Sequence, residues 1–230
     1  MFESVNSNYI KALGTYKYGF EIFAFGHWVH KRLERELSLN SHLVPLTIDL
    51  TQYPPPGSET KFNDILFFAR PEQPRRCFEL GVEALRLVNQ QNQAIRIALF
   101  GADHLPMQDF LFHNYGNLHN LKTLSSIYRS SRVGVCFSTT NPSLVGYEMI
   151  ASGLQLVDLA VPDSYLNFSG NDFVFYADLT PESIAKTIFA ALSESVNQSE
   201  RGARGRYFAE RMPSDESIAD TFARHIENRE

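Results

Sequence analysis

The stretch that decides the fold is residues 64–89, which read DILFFARPEQPRRCFELGVEALRLVN. Its first six residues form a short apolar run, which predicts a buried strand. Residues 77–89 then carry apolar side chains at helical spacing. A strand, a polar loop and a helix in this order begin a βαβ unit, whose strands are parallel and whose crossover is right-handed.

The same alternation continues along the chain. Thr180, Pro181 and Glu182 supply a cap, a first-position proline and an acidic first turn for a later helix. Further strands are predicted at residues 95–100, 133–138, 154–160 and 173–177, and further helices at 121–130, 143–152 (closed by Gly153) and within 201–225. We therefore expect an α/β fold with a Rossmann-like, doubly wound parallel sheet.

A proline-rich segment separates this alternation from the N-terminal region. Three consecutive prolines, Pro54 to Pro56, cannot continue a helix or an inner strand, so residues 53–60 are predicted to be a linker. Residues 1–52 contain an apolar stretch, a helix-like segment at 27–39 and an apolar run at 43–50. This β-α-β fragment is too small to be a domain, so residues 61–230 are expected to form the main domain.

Composition excludes several classes of function. The net charge is −5 and no stripe of Lys or Arg occurs, so a nucleic-acid partner has no electrostatic support. No segment reaches the length of a membrane span and no signal sequence opens the chain, so a cytoplasmic protein is expected. Cys77 and Cys136 do not form a CxxC pair and are expected to be buried, reduced thiols. His27 and His30 lie three residues apart without a nearby third ligand, so no metal site is expected.

Ligands of a doubly wound sheet bind outside the carboxyl ends of its strands. That rule selects residues 70–76, 101–104 and 139–148. In the first segment, Arg70, Arg75 and Arg76 are suited to clamp a diphosphate, because guanidinium groups pair with phosphate oxygens bidentately. The alternative is a solvated loop with incidental charge.

The third segment leads into a helix. Asn141 is expected to cap that helix and Pro142 to occupy its first position, which leaves free backbone amides for an anion. Glu148 lies in the middle of the helix among apolar residues. It either faces the sheet and needs a partner, for which a ribose diol and an Arg are candidates, or lies exposed on the outer face.

These segments, in order and spacing, resemble the C-terminal domain of family-4-type GT-B glycosyltransferases. The resemblance is carried by residues 68–72 (FARPE), 99–101 (LFG), 121–138 and 148–153 (EMIASG). More narrowly, residues 69–80 and 180–190 resemble WsaF-type rhamnosyltransferases, which use dTDP-rhamnose. The resemblance implies the nucleotide-sugar-binding half of a retaining, metal-independent transferase of polysaccharide synthesis, with no cofactor besides the sugar nucleotide.

The resemblance also implies roles for individual residues. Arg70 matches the phosphate-binding arginine of the family, and Arg75 the second basic residue, with Arg76 as the competing register. Glu148 matches the glutamate that holds the ribose hydroxyls. The remaining candidates are Lys122 for the phosphate, Asn141, Pro142, Ser143 and Leu144 for backbone amides, and Gly101, Gly116 and Leu118 for the base pocket.

Two departures from the family pattern limit this expectation. Thr140 stands where the family has the first glutamate of its motif. Only residues 1–52 are available for the acceptor-side domain, so an acceptor glycan is expected to be held by another domain or polypeptide. The alternatives are a non-catalytic interaction module with the transferase fold, and another GT-B enzyme such as a nucleotide-sugar epimerase. Homo-oligomer formation through exposed apolar surface and peripheral membrane association stay open.

Overall fold

The computed structural model describes residues 9–168, 172–193 and 198–227. Short 3₁₀ turns at Pro74–Arg76 and Ser164–Phe168 join the larger elements. In chain order these elements are α1 Tyr9–Thr15, β1 Phe23–Phe25, α2 His27–Leu37, β2 His42–Val44, β3 Asn63–Phe68, α3 Phe78–Gln91, β4 Ile97–Phe100, β5 His113–Asn114, α4 Leu121–Arg129, β6 Ser131–Val135, α5 Leu144–Ala151, β7 Gln155–Leu159, β8 Val174–Ala177, α6 Pro181–Ser193, α7 Gln198–Glu210 and α8 Asp215–Glu227.

The main sheet has six parallel strands in the order β5-β4-β3-β6-β7-β8. The chain starts in the middle with β3, builds outward through β4 and β5, and then returns to add β6 on the other side. The strand order therefore reverses between β3 and β6, which makes this the switch point of a doubly wound sheet. The predicted fold class is confirmed.

Alternating side chains of β3 fill two apolar layers, one on each face of the sheet. Ile65 and Phe67 are fully buried on the side of α3 and α6, and Leu66 is fully buried on the side of α4 and α5. Helix α3 lies so close to the sheet that a Cβ at Gly81 would stand 2.3 Å from Phe67 Cζ. Only glycine allows this approach. Burial on both faces explains why the strands read as continuous apolar runs rather than alternating ones.

The N-terminal region forms a separate pair of parallel strands, β1 and β2, joined by α2. The apolar run at residues 43–50 is not one strand, because β2 ends at Val44. Leu46 and Ile48 instead pack against the core of the main sheet. Tyr53, expected in a linker, is 4 % exposed and belongs to the same core. The proline segment is therefore held firmly at its first residue.

The last two helices return to earlier parts of the chain. Helix α7 packs on α5, and Arg206 donates hydrogen bonds to the carbonyl oxygens of Tyr53 and Ala151. Helix α8 lies on the small N-terminal sheet, where the rings of Phe222 and Phe23 are 4.6 Å apart. Within the described ranges, no helix combines the length and the apolar character that crossing a bilayer requires.

Several predicted boundaries need correction. Strand β6 covers Ser131–Val135 rather than residues 133–138, so the loop that follows it is longer than expected. The two-residue strand β5 leaves no alternation in the sequence and is not predicted. The helix predicted from Thr180 is confirmed, since the Thr180 hydroxyl accepts a hydrogen bond from Ser183 N. Both cysteines are free, but only Cys136 is fully buried.

Candidate functional site

The loops after β3 and β6 meet at the switch point of the sheet. Thr139 N donates to the carbonyl oxygen of Arg75 at 3.0 Å. Arg75 Nη1 donates to Asn141 Oδ1 at 3.1 Å. Arg76 Nη1 donates to the carbonyl oxygen of Phe137 at 3.2 Å. Two segments that the sequence rule selects separately are thus one structural unit, held together by consecutive arginines.

The two arginines differ in environment. Arg76 is 6 % exposed, and its Nε finds no acceptor in the part of the chain that the structure describes. Burial lowers the pKa of Arg76 from its ordinary value. Arg75 is only partly buried and reaches the loop after β6. Arg76 therefore stabilises the loop through a buried hydrogen bond, while Arg75 is the more accessible of the two to a ligand.

A carboxylate that the motifs do not single out lies near Arg76. Asp158 is almost fully buried in β7, and its Oδ1 accepts a hydrogen bond from Leu159 N at 2.8 Å. Burial raises the pKa of Asp158 to about 7, although backbone hydrogen bonds from Leu159 and Ser138 and the nearby Arg76 act to lower it. The sequence does contain a signal for Asp158, which is an aspartate inside the apolar run 154–160. A carboxylate buried in a strand needs a partner, so its position indicates a polar contact.

Arg70 lies at the start of the loop that follows β3. Its Nε forms an ion pair with Glu72 Oε1, and its guanidinium lies 6.0 Å from the centre of the Phe68 ring. The loop is therefore not a uniformly solvated one. Lys122, in contrast, is exposed in the first turn of α4, and within the described residues no hydrogen bond or ion pair joins it to the arginines.

The start of α5 differs from the prediction. The helix begins at Leu144 with Ser143 as its N-cap, so Asn141 is not the cap and Pro142 is not its first residue. The physical reason is that other contacts hold this loop: Ser138 Oγ donates to the carbonyl oxygen of Asn141 at 2.7 Å, and the side chain of Asn141 accepts from Arg75. Ser143 makes no side-chain cap hydrogen bond. Gly146 N donates to the carbonyl oxygen of Ser143 at 3.1 Å, but within the described residues the amides of Leu144 and Val145 have no acceptor, as an anion site requires.

Glu148 faces inward from α5. Tyr128 OH donates to Glu148 Oε2 at 2.9 Å, and the Tyr53 hydroxyl also donates to this carboxylate. The exposed alternative is therefore wrong, and the protein partners are tyrosines rather than an arginine. Burial raises the pKa of Glu148 in spite of these hydrogen bonds. Neither tyrosine is marked by a motif.

The residues predicted to line the base pocket lie near the end of β4. Gly101 N donates to the carbonyl oxygen of Gly116 at 2.9 Å. Gly101 has a φ of 112°, and a Cβ there would stand 2.8 Å from the carbonyl oxygen of Ala69. Leu118 packs against the nearby core. Glycine at position 101 thus lets β4 turn away directly beside the loop after β3.

Comparison with known proteins agrees with this architecture. RfbC, an O-antigen biosynthesis protein of Myxococcus xanthus, is 30 % identical over 153 residues, which are 64 % of this chain and 12 % of RfbC. A glycosyltransferase from Rickettsia africae matches 99 % of the chain with a TM-score of 0.73 at 12 % identity, over 68 % of its own length. The Anabaena protein HepE, solved with UDP and glucose, matches 90 % of the chain with a TM-score of 0.70 at 11 % identity, over 62 % of its length.

The likeness to the solved structures shows the fold of the C-terminal, Rossmann-like domain of GT-B glycosyltransferases, and the chain spans only part of each relative. The match to a family model is more specific. The model described as the C-terminal domain of WsaF matches residues 63–189, from the first residue of β3 into α6. This match covers more than half of the 230 residues. The chain therefore belongs to the WsaF C-terminal domain family and carries a glycosyltransferase-like domain.

Proposed function

We propose that this chain binds a nucleoside diphosphate sugar at the switch point between β3 and β6. The observation that carries the proposal is the Arg75–Asn141 hydrogen bond, which brings a partly buried cation to the loop that opens α5. Cationic side chains and free helix amides converge there, and both favour a diphosphate. Arg70, in the loop that follows β3, is the second cation.

The chemistry of such a site is stabilisation of a leaving group. When the bond between sugar and diphosphate breaks, negative charge develops on the departing phosphate oxygen. Arg70, Arg75 and the first amides of α5 are positioned to stabilise that charge without a metal ion. We therefore propose the donor half of a retaining, metal-independent glycosyltransferase, with Lys122 as a further cation only if the ligand or a movement of α4 brings it to the phosphate.

Glu148 is proposed to bind the ribose. A carboxylate offers about four acceptor positions, so two tyrosine hydroxyls leave capacity for a ribose hydroxyl. Burial strengthens such a hydrogen bond because water competes less effectively for the carboxylate. We propose that the base binds near Gly101 and Gly116, whose backbones are joined by a hydrogen bond at the end of β4.

The relatives indicate the biological setting that we propose. RfbC is named for O-antigen biosynthesis, and HepE was solved with UDP and glucose. Together with the WsaF-type family match, these names support a role in polysaccharide synthesis, which we propose takes place in the cytoplasm, with dTDP-rhamnose as the first donor to test. The acceptor glycan would be held by polypeptide beyond these 230 residues, since the chain spans 12 % of RfbC.

Thermal unfolding with UDP, dTDP, GDP and dTDP-rhamnose tests the proposal. A ligand that binds only the folded state adds about 2.7 kcal/mol at a hundredfold excess over its dissociation constant. We expect one nucleotide to raise the unfolding temperature of the wild type and of Arg204→Ala, a control in an exposed ion pair with Asp172. The shift should be clearly smaller in Arg70→Ala, Arg75→Ala and Glu148→Ala. An equal shift in all variants would place the nucleotide elsewhere and overturn the proposal.

One observation favours a second candidate, a non-catalytic interaction module. Thr140 stands where the family has a sugar-binding glutamate, and its hydroxyl donates to Asn141 Oδ1 at 3.3 Å. A threonine cannot accept two sugar hydroxyls as a carboxylate does. If none of the four nucleotides shifts the unfolding temperature at millimolar concentration, the module becomes the preferred function.

A further inference from the structure

Three side chains of metal-ligand type meet where α8 lies on the small N-terminal sheet. Glu21 precedes β1, His42 begins β2 and His225 lies in the last turn of α8. One ligand atom from each lies within 4.8 Å of the other two. Glu21 and His225 are 204 residues apart in the sequence. The tertiary fold brings the group together, which is why no sequence motif announces it.

Both imidazoles present the same nitrogen to one carboxylate oxygen. His42 Nε2 lies 2.8 Å from Glu21 Oε1, and His225 Nε2 contacts the same oxygen. The two imidazole rings lie 4.3 Å apart. The Phe23 ring packs on both of them, at 5.1 Å and 5.2 Å between centroids, and so restricts their orientation. Two nitrogens and an oxygen therefore converge on one small volume.

We propose that Glu21, His42 and His225 bind a divalent transition metal, with zinc the best suited, and that the ion fastens α8 to the N-terminal sheet. Zinc takes histidine nitrogens and carboxylate oxygens at about 2.0–2.2 Å, so a tetrahedral site separates its ligand atoms by about 3.3 Å. The present hydrogen-bonded distances are shorter. A rotation of the Glu21 side chain would lengthen them, and all three ligand atoms already lie within 4.8 Å of one another.

The surroundings leave a place for the fourth ligand. The side chain of His42 is 48 % exposed, and those of Glu21 and His225 are 20 % and 26 % exposed. A cavity of about 60 Å³, bordered by His42, His225 and Phe222, lies beside them. That volume admits a water molecule. Two imidazoles and one carboxylate favour zinc, nickel or copper over magnesium and calcium, which prefer oxygen ligands alone.

We expect metal binding to stabilise the fold and not to take part in catalysis. The three ligands come together only in the folded chain, so the binding free energy of the metal adds to the free energy of unfolding. The site lies on elements other than the loops at the β3–β6 switch point. The inference therefore does not rest on the proposed nucleotide-sugar function.

The test is zinc titration of the 230-residue protein after removal of metals with a chelator, followed by calorimetry and by thermal unfolding. Cobalt substitution gives a visible absorption spectrum that reports imidazole coordination. We expect one ion per chain and a higher unfolding temperature with zinc. His42→Ala and Glu21→Ala should each weaken binding by more than about tenfold, a loss already typical of second-shell changes. His27→Ala, which removes an exposed histidine of α2, should bind zinc as the wild type does.

His225→Gln separates a metal site from a hydrogen-bonded cluster, because glutamine can still donate to Glu21 but is a poor zinc ligand. We expect this variant to fold and to lose the zinc-dependent rise in unfolding temperature. Three results would overturn the proposal: no saturable binding by the wild type, binding that His42→Ala and His225→Gln leave intact, or an equal loss in His27→Ala.

Discussion

Arg75 Nη1 lies 3.1 Å from Asn141 Oδ1, and this hydrogen bond joins the loops that follow β3 and β6. The two strands are neighbours in the sheet, but 66 residues separate the two side chains. The contact marks the point where the strand order reverses, at which doubly wound sheets bind their ligands. The two consecutive arginines differ in burial, since Arg76 is buried beneath the loop and Arg75 is only partly buried. We therefore expect Arg76 to stabilise the fold and Arg75 to bind the ligand.

The first prediction separates these two arginines. Arg75→Ala should keep the wild-type unfolding temperature and weaken nucleotide binding by about 1.5–3 kcal/mol, the usual worth of a hydrogen bond to a charged group. Arg76→Ala should destabilise the protein, by about 1–3 kcal/mol, because it leaves the buried Phe137 carbonyl oxygen without its donor. Calorimetric titration and thermal unfolding measure the two effects. The reverse pattern would assign the ligand to Arg76.

The second prediction concerns Glu72, which forms an ion pair with Arg70. A diphosphate must compete with this carboxylate for the guanidinium. Glu72→Gln should therefore raise nucleotide affinity, by no more than about fivefold, since exposed ion pairs contribute at most about 1 kcal/mol. Glu83→Gln is the matched control, because Glu83 is equally exposed and pairs with Arg86. Unchanged or lower affinity in Glu72→Gln would show that Arg70 does not bind the phosphate.

How far the sequence predicts this fold depends on the length of each element. Six-residue apolar runs such as residues 64–69 predict β3 almost to the residue, and the capped helix beginning at Pro181 is predicted equally well. The two-residue strand β5 leaves no periodic signal. The run at residues 43–50 misleads, because an apolar segment that crosses from one sheet to the core of another has the composition of a strand.

The sequence predicts which residues belong to the candidate site, but it does not predict the contacts between them. The rule that ligands bind at the carboxyl ends of strands selects Arg75 in one segment and Asn141 and Glu148 in another. The rule cannot show that Asn141 binds Arg75 rather than capping α5, since both contacts suit the same amide. The tyrosines at Glu148 are equally invisible, because their hydroxyls reach it from a helix and from the proline segment.

The third prediction concerns the ribose. If Glu148 holds ribose hydroxyls, Glu148→Gln should weaken UDP binding more than dTDP binding, because dTDP lacks the 2′-hydroxyl. We expect about a tenfold loss for UDP, the worth of one hydrogen bond to a charged acceptor. Glu210→Gln on α7 is the control. Equal losses for the two nucleotides would exclude a contact between Glu148 and the 2′-hydroxyl.

The fourth prediction tests the tyrosine at that glutamate. Tyr128→Phe removes the hydroxyl that donates to Glu148 Oε2 and leaves a buried ring of nearly the same shape. The free energy of unfolding should fall by about 1–2 kcal/mol, since a partly buried carboxylate loses one of its donors. Denaturant unfolding measures this. The double variant Tyr128→Phe with Glu148→Gln should lose less than the sum of the single losses, and strict additivity would show that the two side chains do not interact.

The last prediction follows from Asp158. Burial raises the pKa of its carboxyl from the ordinary value of 3.8 to about 7 in the folded protein. Between these values the folded state holds a proton that the unfolded state has released, so Asp158 lowers the free energy of unfolding progressively as pH rises from about 4 to about 7. Each pKa unit is worth about 1.4 kcal/mol, so the whole effect is of the order of 4 kcal/mol.

Asp158→Asn keeps the acceptor for Leu159 N and cannot ionise. We expect Asp158→Asn to be more stable than the wild type at about pH 8, with the difference shrinking towards about pH 5, whereas Asp172→Asn, an exposed control, should show no such trend. Urea unfolding at several pH values measures the difference. A constant difference between wild type and Asp158→Asn across this range would mean that Asp158 ionises at its ordinary pKa, with its hydrogen bonds and Arg76 together compensating its burial.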